Sequence, residues 1–221
     1  QSLYRMNLDY VDIFYSHRFD PNTPLEETVE ALTQIVNSGK ALYIGISSYS
    51  SLQTKKINKL LNERGVRCLI HQPSYSMLNR WIENDLLNTL EQEGMGCIVF
   101  SPLAQGMLSV KYLKRISKGS RAAEKNSFIN KQMITNDYRS KVKSLGIIAK
   151  KRNQTLPQMA IAWCLRDKRV TSVVFGARNI KQLNENLMTL KNMKFDKSEI
   201  NEINKYATDS DINIWKDSSA Y

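Results

Sequence analysis

Tyr10-Val11-Asp12-Ile13-Phe14-Tyr15-Ser16 is a short run of β-branched and aromatic residues that stops at a chemistry-bearing one, His17. The same design recurs along the chain. Residues 41–46 stop at Ser47-Ser48, residues 68–70 at His71-Gln72, Gly96–Phe100 at Ser101-Pro102, and residues 171–175 at Gly176. Each of these five runs is followed by a segment with helix start signals. Strands alternating with helices build a parallel sheet, and in a (β/α)8 barrel the site lies where strands hand over to loops. The expected fold is α/β, a TIM barrel of which about the last five units are present, read as a single domain over 1–221. The start at Gln1, just ahead of an apolar strand, suggests truncation, processing or a split gene.

The helices carry readable ends. Thr23-Pro24-Leu25-Glu26 has the form of a capping box with Pro at the first helical position, and Leu25, Val29, Leu32 and Val36 then form one apolar stripe before Gly39. Ser50 to Gln53 opens a second helix, with Ile57, Leu60 and Leu61 inward and Gly65 closing it. A third spans about 84–93 and stops at Gly94, and another covers roughly 137–152. Thr155 to Gln158 caps the next. Asn179 to Gln182 caps one whose buried face is expected to hold Leu183, Leu187 and Leu190, and Asp196 to Glu199 starts a terminal helix through Ile200 and Ile203. The strands are mostly non-alternating, as expected of parallel strands covered on both faces. Residues 106–136 break the rhythm as a long basic excursion, expected to act as a clamp over a ligand.

Composition narrows the classes. Hydrophobic content of 42% is that of a globular chain, and the longest apolar run, residues 159–165, is far short of the ~18 residues a membrane span needs. Cys68, Cys97 and Cys164 lie inside apolar runs without a CxxC pair, which reads as buried reduced thiols in a cytoplasmic protein. With only two histidines, no zinc cluster is expected. The net charge of +11 reads as a lysine-rich solvated surface, with a few cations near strand ends reserved for function, and nucleic acid is not an expected partner.

The last loop is the strongest signal for chemistry. Phe175-Gly176-Ala177-Arg178-Asn179 links a strand to a capped helix, and barrels of this kind often bind phosphate there. Gly176 permits close backbone approach, Arg178 offers a fork of donors, and Lys111 and Arg121 come from the preceding loop. A plain turn with solvated cations is the alternative. His17 at a strand end can donate a hydrogen bond to a carbonyl, or be structural. His71 reads as structural, Gln72 as a partner for an amide-bearing ring, and Tyr75 as a cover for that ring. The segment from Ser101 through Gly106 suits the wall of an extended ligand.

Together the runs at residues 10–18, 39–48, 71–75, 100–106 and 176–183 resemble the aldo-keto reductases, in the branch of the bacterial L-glyceraldehyde 3-phosphate reductases and the potassium-channel beta subunits. The match runs in order down to the Trp215 tail. It implies NADPH-dependent reduction of small aldehydes and ketones, with glyceraldehyde phosphate or methylglyoxal-like compounds as substrates. His17 matches the His of the family's Asp-Tyr-Lys-His tetrad. By the same matching Ser47, Ser48 and Gln72 hold the nicotinamide and its carboxamide. Ser101, Pro102, Leu103, Ala104, Gln105 and Gly106 line the pyrophosphate and ribose, and Lys111, Gly119, Ser120 and Arg121 form the clamp. Gly176, Arg178, Gln182, Glu185 and Asn186 take the 2′-phosphate and adenine.

Two departures stand out. Arg178 replaces a Ser that relatives place against the 2′-phosphate, which opens the choice between NADPH and NADH. The tetrad's Asp, Tyr and Lys belong to strands upstream of Gln1, so this chain alone is expected to lack a proton donor. A homo-oligomer, or association with an N-terminal portion, is the expected assembly. The alternatives are a channel beta-subunit-like cofactor sensor and an inactive split-gene fragment. His17 favours the enzyme, because channel-type relatives often carry Asn there.

Overall fold

Five strands, β1 (Val11–Ser16), β2 (Ala41–Ser47), β3 (Cys68–Gln72), β4 (Gly96–Phe100) and β5 (Ser172–Val174), follow one another in the sheet in chain order. The computed structural model describes all residues except 114, 115, 117–119, 125–128, 211, 214, 215 and 217–221, and only the backbone of Arg121. Helices α1 (Ser2–Met6), α2 (Leu25–Asn37), α3 (Ser51–Glu63), α4 (Leu86–Gln92), α5 (Asn136–Lys151), α6 (Leu156–Cys164), α7 (Ile180–Leu187) and α8 (Lys197–Asn204) complete the regular structure. This α/β order, one strand per unit, agrees with part of a (β/α)8 barrel. Two compact units share the chain: Gln1–Pro73 with Ile82–Ile98, and Ser74–Trp81 with Val99–Ile214.

In the first unit β1, β2, β3 and the start of β4 are parallel. Tyr15 pairs with Gly45 and Ser16 with Ile46, while Ser47 pairs with Gln72. A register shift at Ile44/Gly45 lets Ile44 face Cys68 and Gly45 face Ile70, so Leu69 is the extra residue of a bulge. Ile44 and Ile46 of β2 are fully buried with Val29, Ile57, Leu61, Leu86 and Leu87 from the helices. Each such side chain contributes roughly 1.5–3 kcal/mol on leaving water. The box at α3 forms as expected, with Ser50 Oγ accepting from Gln53 N–H and Gln53 Oε1 accepting from Ser50 N–H.

Two expectations fail in this unit. The Thr23 hydroxyl donates to Asp20 Oδ2 at 2.8 Å, leaving α2 to start after Pro24 without a side-chain cap. Asp20 also accepts from Asn22 N–H, so a local turn outcompetes the capping box. Coverage on both faces holds only for the second half of β2, from Ile44 to Ser47; Leu42 and Tyr43 earlier in that strand are 52% and 41% exposed, Phe14 of β1 is 37% exposed, and α1 buries none of its residues. β1 is an end strand with one neighbour, and none of its residues is fully buried.

The second unit closes around Trp163, Met159, Val142, Leu145 and Leu156. Tyr75 stacks on Trp163 at 5.2 Å between ring centroids, and Arg166 lies 3.6 Å over the Trp163 ring while donating to Tyr75 Oη. Tyr138 on α5 donates to Met107 O at 2.6 Å and ties the segment after β4 to that helix. Burial pushes the Tyr138 phenol well above its ordinary value, so it stays protonated. Arg152 at the end of α5 is buried and donates to Glu199 Oε1 (2.7 Å), Lys194 O (2.9 Å) and Gln154 Oε1 (3.0 Å). It fastens the start of α8, whose box at Asp196 and Glu199 is complete. The stripe on α7 runs opposite to expectation. Leu183, Leu187 and Leu190 are 41%, 47% and 70% exposed, because α7 turns Asn186, and the following turn Thr189, inward instead.

Candidate functional site

In the first unit the ends of β1, β2 and β3 carry His17, Ser47-Ser48 and Gln72. A chain of hydrogen bonds joins them. Arg18 Nη1 donates to the His17 carbonyl and, at 2.8 Å, to Ser47 Oγ, and Ser47 Oγ donates to Gln72 O at 2.8 Å. His17 itself is exposed. Desolvation at the strand end, and then the Arg18 charge, hold its imidazole below the ordinary histidine range. At neutral pH it is therefore a neutral ring able to donate one N–H.

Ser48 is fully buried and adopts φ 57°, a left-handed backbone that non-glycine residues rarely take and that clusters at functional sites. The adjacent Tyr49 bonds to Ser16 Oγ at 2.7 Å. His71 is fully buried, with Nε2 3.2 Å from Tyr49 N and 3.1 Å from Tyr49 O. Burial drives its pKa down to about 3, in keeping with the structural role read for it. The Tyr15 ring lies across Gly45, where a Cβ would meet it at 2.6 Å. Tyr75, expected to cover a ring held by Gln72, is instead fully buried against Trp163 and belongs to the core of the second unit.

The second unit holds the remaining candidates. After β4, left-handed φ recurs at Ser101 (57°), Ala104 (48°) and Gln105 (59°), three strained non-glycine positions within five residues, and Gly106 follows at 94°, where glycine is at ease. Gln105 Nε2 donates to Ser101 Oγ at 3.3 Å, and Ser109 Oγ donates to Gly106 O at 2.7 Å. Pro102 is buried and Leu103 half-buried in the same turn. Lys111 is exposed with its ammonium 5.5 Å from the Tyr112 ring centre. Gly119 and the side chain of Arg121 lie outside the described residues.

Around Gly176 an added Cβ would meet nothing within 4 Å. Arg178 is exposed, and its N–H donates to Gln182 Oε1 at 2.8 Å, while Asn179 Oδ1 caps α7 by accepting from Gln182 N–H. The Glu185 side chain is exposed and its carbonyl accepts from Gln158. Ser120 Oγ and Asn186 Nδ2 are buried and have no hydrogen-bond partner among the described residues. Buried polar atoms are normally paired, so two orphans at expected cofactor positions suit an incoming polar ligand. Exposed Lys111 and Arg178 suit phosphate, and with the open backbone at Gly176 the donor set fits a phosphorylated dinucleotide.

Arg18 and Tyr15 were invisible as site residues from sequence. Their partners lie 29 and 30 positions away and meet them only through the β1–β2 register.

The chain matches the Aldo/keto reductase family over residues 1–208. It is 48% identical over 223 aligned residues to the L-glyceraldehyde 3-phosphate reductases of Escherichia coli O157:H7 and of Escherichia coli strain K12. Each alignment covers 99% of this chain and 64% of the relative, so the chain spans about two thirds of their length or slightly less. On a family match that takes in nearly every residue from the first strand through α8, the chain belongs to the aldo/keto reductases.

Proposed function

We propose that this chain provides the cofactor-binding portion and the tetrad histidine of an NADPH-dependent reductase of small aldehydes and ketones. The observation that carries the reading is a pair of buried polar atoms with no hydrogen-bond partner among the described residues, Ser120 Oγ and Asn186 Nδ2, at two positions assigned to the cofactor. When bound, NADPH supplies the reducing equivalent for the carbonyl carbon. His17, neutral at pH 7, donates its N–H to the carbonyl oxygen and orients it. Gln72 presents an amide to the cofactor's carboxamide, and Ser101 through Gly106 wrap the pyrophosphate with a backbone already bent for close approach. Lys111 and Arg178 pair with phosphate, and Asn186 closes on the adenosine end.

The related reductases are named for L-glyceraldehyde 3-phosphate, which makes phosphorylated trioses and similar small aldehydes the proposed substrates. Three free, buried thiols fit a cytoplasmic setting. The tetrad's proton-donating Tyr has no match in these 221 residues, so the chain by itself binds NADPH without carbonyl-dependent oxidation.

Fluorescence titration of the 221-residue chain with NADPH tests the reading. Saturation at ~µM, about −8 kcal/mol, is expected, with NADH at least several-fold weaker. No saturable signal up to ~1 mM, about −4 kcal/mol, defeats it.

A further inference from the structure

Gln158 does two jobs with one side chain. At the third position of α6 its Oε1 accepts from Thr155 N–H at 2.9 Å, which completes the capping box. Its Nε2 has no part in that box and donates instead to Glu185 O on α7 at 2.7 Å. That carbonyl belongs to the peptide bond joining Glu185 to Asn186, so the contact fixes the plane from which Asn186 hangs. The same stretch is gripped again further on, where Thr189 Oγ1 donates to Gln158 O at 3.4 Å and Gln154 Nε2 donates to Asn192 O at 3.0 Å. Thr189 and Asn186 are both turned inward, and the Asn186 amide nitrogen is the one with no partner among the described residues. With no bond on that nitrogen, its aim is set by the backbone that carries it. Resting on the proposal that Asn186 takes the adenosine end of NADPH, we infer that Gln158 is a positioning residue for that end. It holds the Glu185–Asn186 peptide so that Asn186 Nδ2 meets the ligand, and it acts through Asn186.

A capping box takes Glu as well as Gln, but only the amide can also donate, so cap and tie can be separated by substitution. Gln158→Glu keeps the acceptor for Thr155 N–H and sets a carboxylate against the Glu185 carbonyl. Gln158→Lys has no acceptor for the cap and keeps a donor for that carbonyl. The probe is adenosine 2′,5′-bisphosphate, titrated by calorimetry in ~0.5 M salt, which screens the charge each variant introduces. Gln158→Glu weakens binding by about 2- to 10-fold, the worth of one hydrogen bond, with the Tm near wild type. Gln158→Lys lowers the Tm and leaves affinity at the wild-type value. Asn186→Ala also weakens binding, and adding Gln158→Glu to it costs nothing further, because residues that act in series fail together.

A ligand-free readout accompanies these titrations. The Asn186 side-chain amide, followed by 15N NMR, shifts in Gln158→Glu and keeps its place in Gln158→Lys. If Gln158→Glu does not fold, Gln158→Met, an apolar side chain of similar length, carries the affinity arm with the same weakening expected. Affinity that follows the Tm across the variants, no loss on removing the donor, or losses that multiply in the double variant overturn the role of Gln158. An unchanged Asn186→Ala beside a binding wild type overturns it as well. A wild-type chain that does not bind the bisphosphate overturns the cofactor reading, and this role with it.

Discussion

Acid is expected to destabilise the first unit through His71 well before its carboxylates are protonated. This histidine is fully buried, and its Nδ1 has no partner among the described residues. A second ring proton therefore has nowhere to go. Its pKa falls to about 3 in the folded chain, against an ordinary value near 6.5. The unfolded chain binds that proton more readily, so the stability from this site is present above about pH 6.5 and drains away as pH falls toward 3. Each pH unit in that window is worth about 1.4 kcal/mol, and integrating from pH 7 to pH 5 gives a loss of roughly 2 kcal/mol.

Urea unfolding followed by circular dichroism at half-unit pH steps measures this slope. His71→Gln, whose amide nitrogen can stand near the place of Nε2, should flatten it whatever its effect at pH 7. Only His17 and His71 are present, so NMR should show one ring titrating somewhat below the ordinary range and one silent down to about pH 4. A wild-type stability that is flat between pH 7 and 5, or a slope retained in His71→Gln, refutes the reasoning.

Three further outcomes follow from the packing. Gly45→Ala places a Cβ 2.6 Å from Tyr15 Cε1 and should cost ~1–3 kcal/mol in urea unfolding, a penalty that shrinks in a Tyr15→Leu background. Arg152→Ala strands Glu199 and several carbonyls around a buried site and should destabilise the second unit by about 3 kcal/mol or more, seen as a lowered Tm. Ala104→Gly relieves a left-handed φ of 48° and should raise stability by about 1 kcal/mol, and a fall in Tm would show that the position is not strained.

Strand positions and most helix starts were legible because they depend on local chemistry. Ser50, Thr155 and Asp196 each cap as their spacing predicts. Thr23 shows where local logic fails, since Asp20 three residues earlier offers its hydroxyl a competing acceptor. Exposure was less legible. The leucines of α7 have the periodicity of a buried face, and the pattern does not say whether anything lies against it. Tyr75 likewise reads as a ligand cover from its place after Gln72, but its ring is spent on Trp163, 88 residues away in sequence and stacked at 5.2 Å. His17 and Gln72 were found because they sit at strand ends, where the fold places chemistry. Arg18 was not, because its meaning depends on which residue of β2 stands beside it.

The central claim is that the loops of the second unit take the phosphorylated end of a dinucleotide. Titrating 15N-labelled chain with NADP+ and following the side-chain amide of Asn186 tests it most directly. That signal should shift with one saturation curve, together with the backbone amides of Ser101, Gly106 and Gly176. Saturable shifts confined to surface lysines, with Asn186 unmoved, would contradict the account.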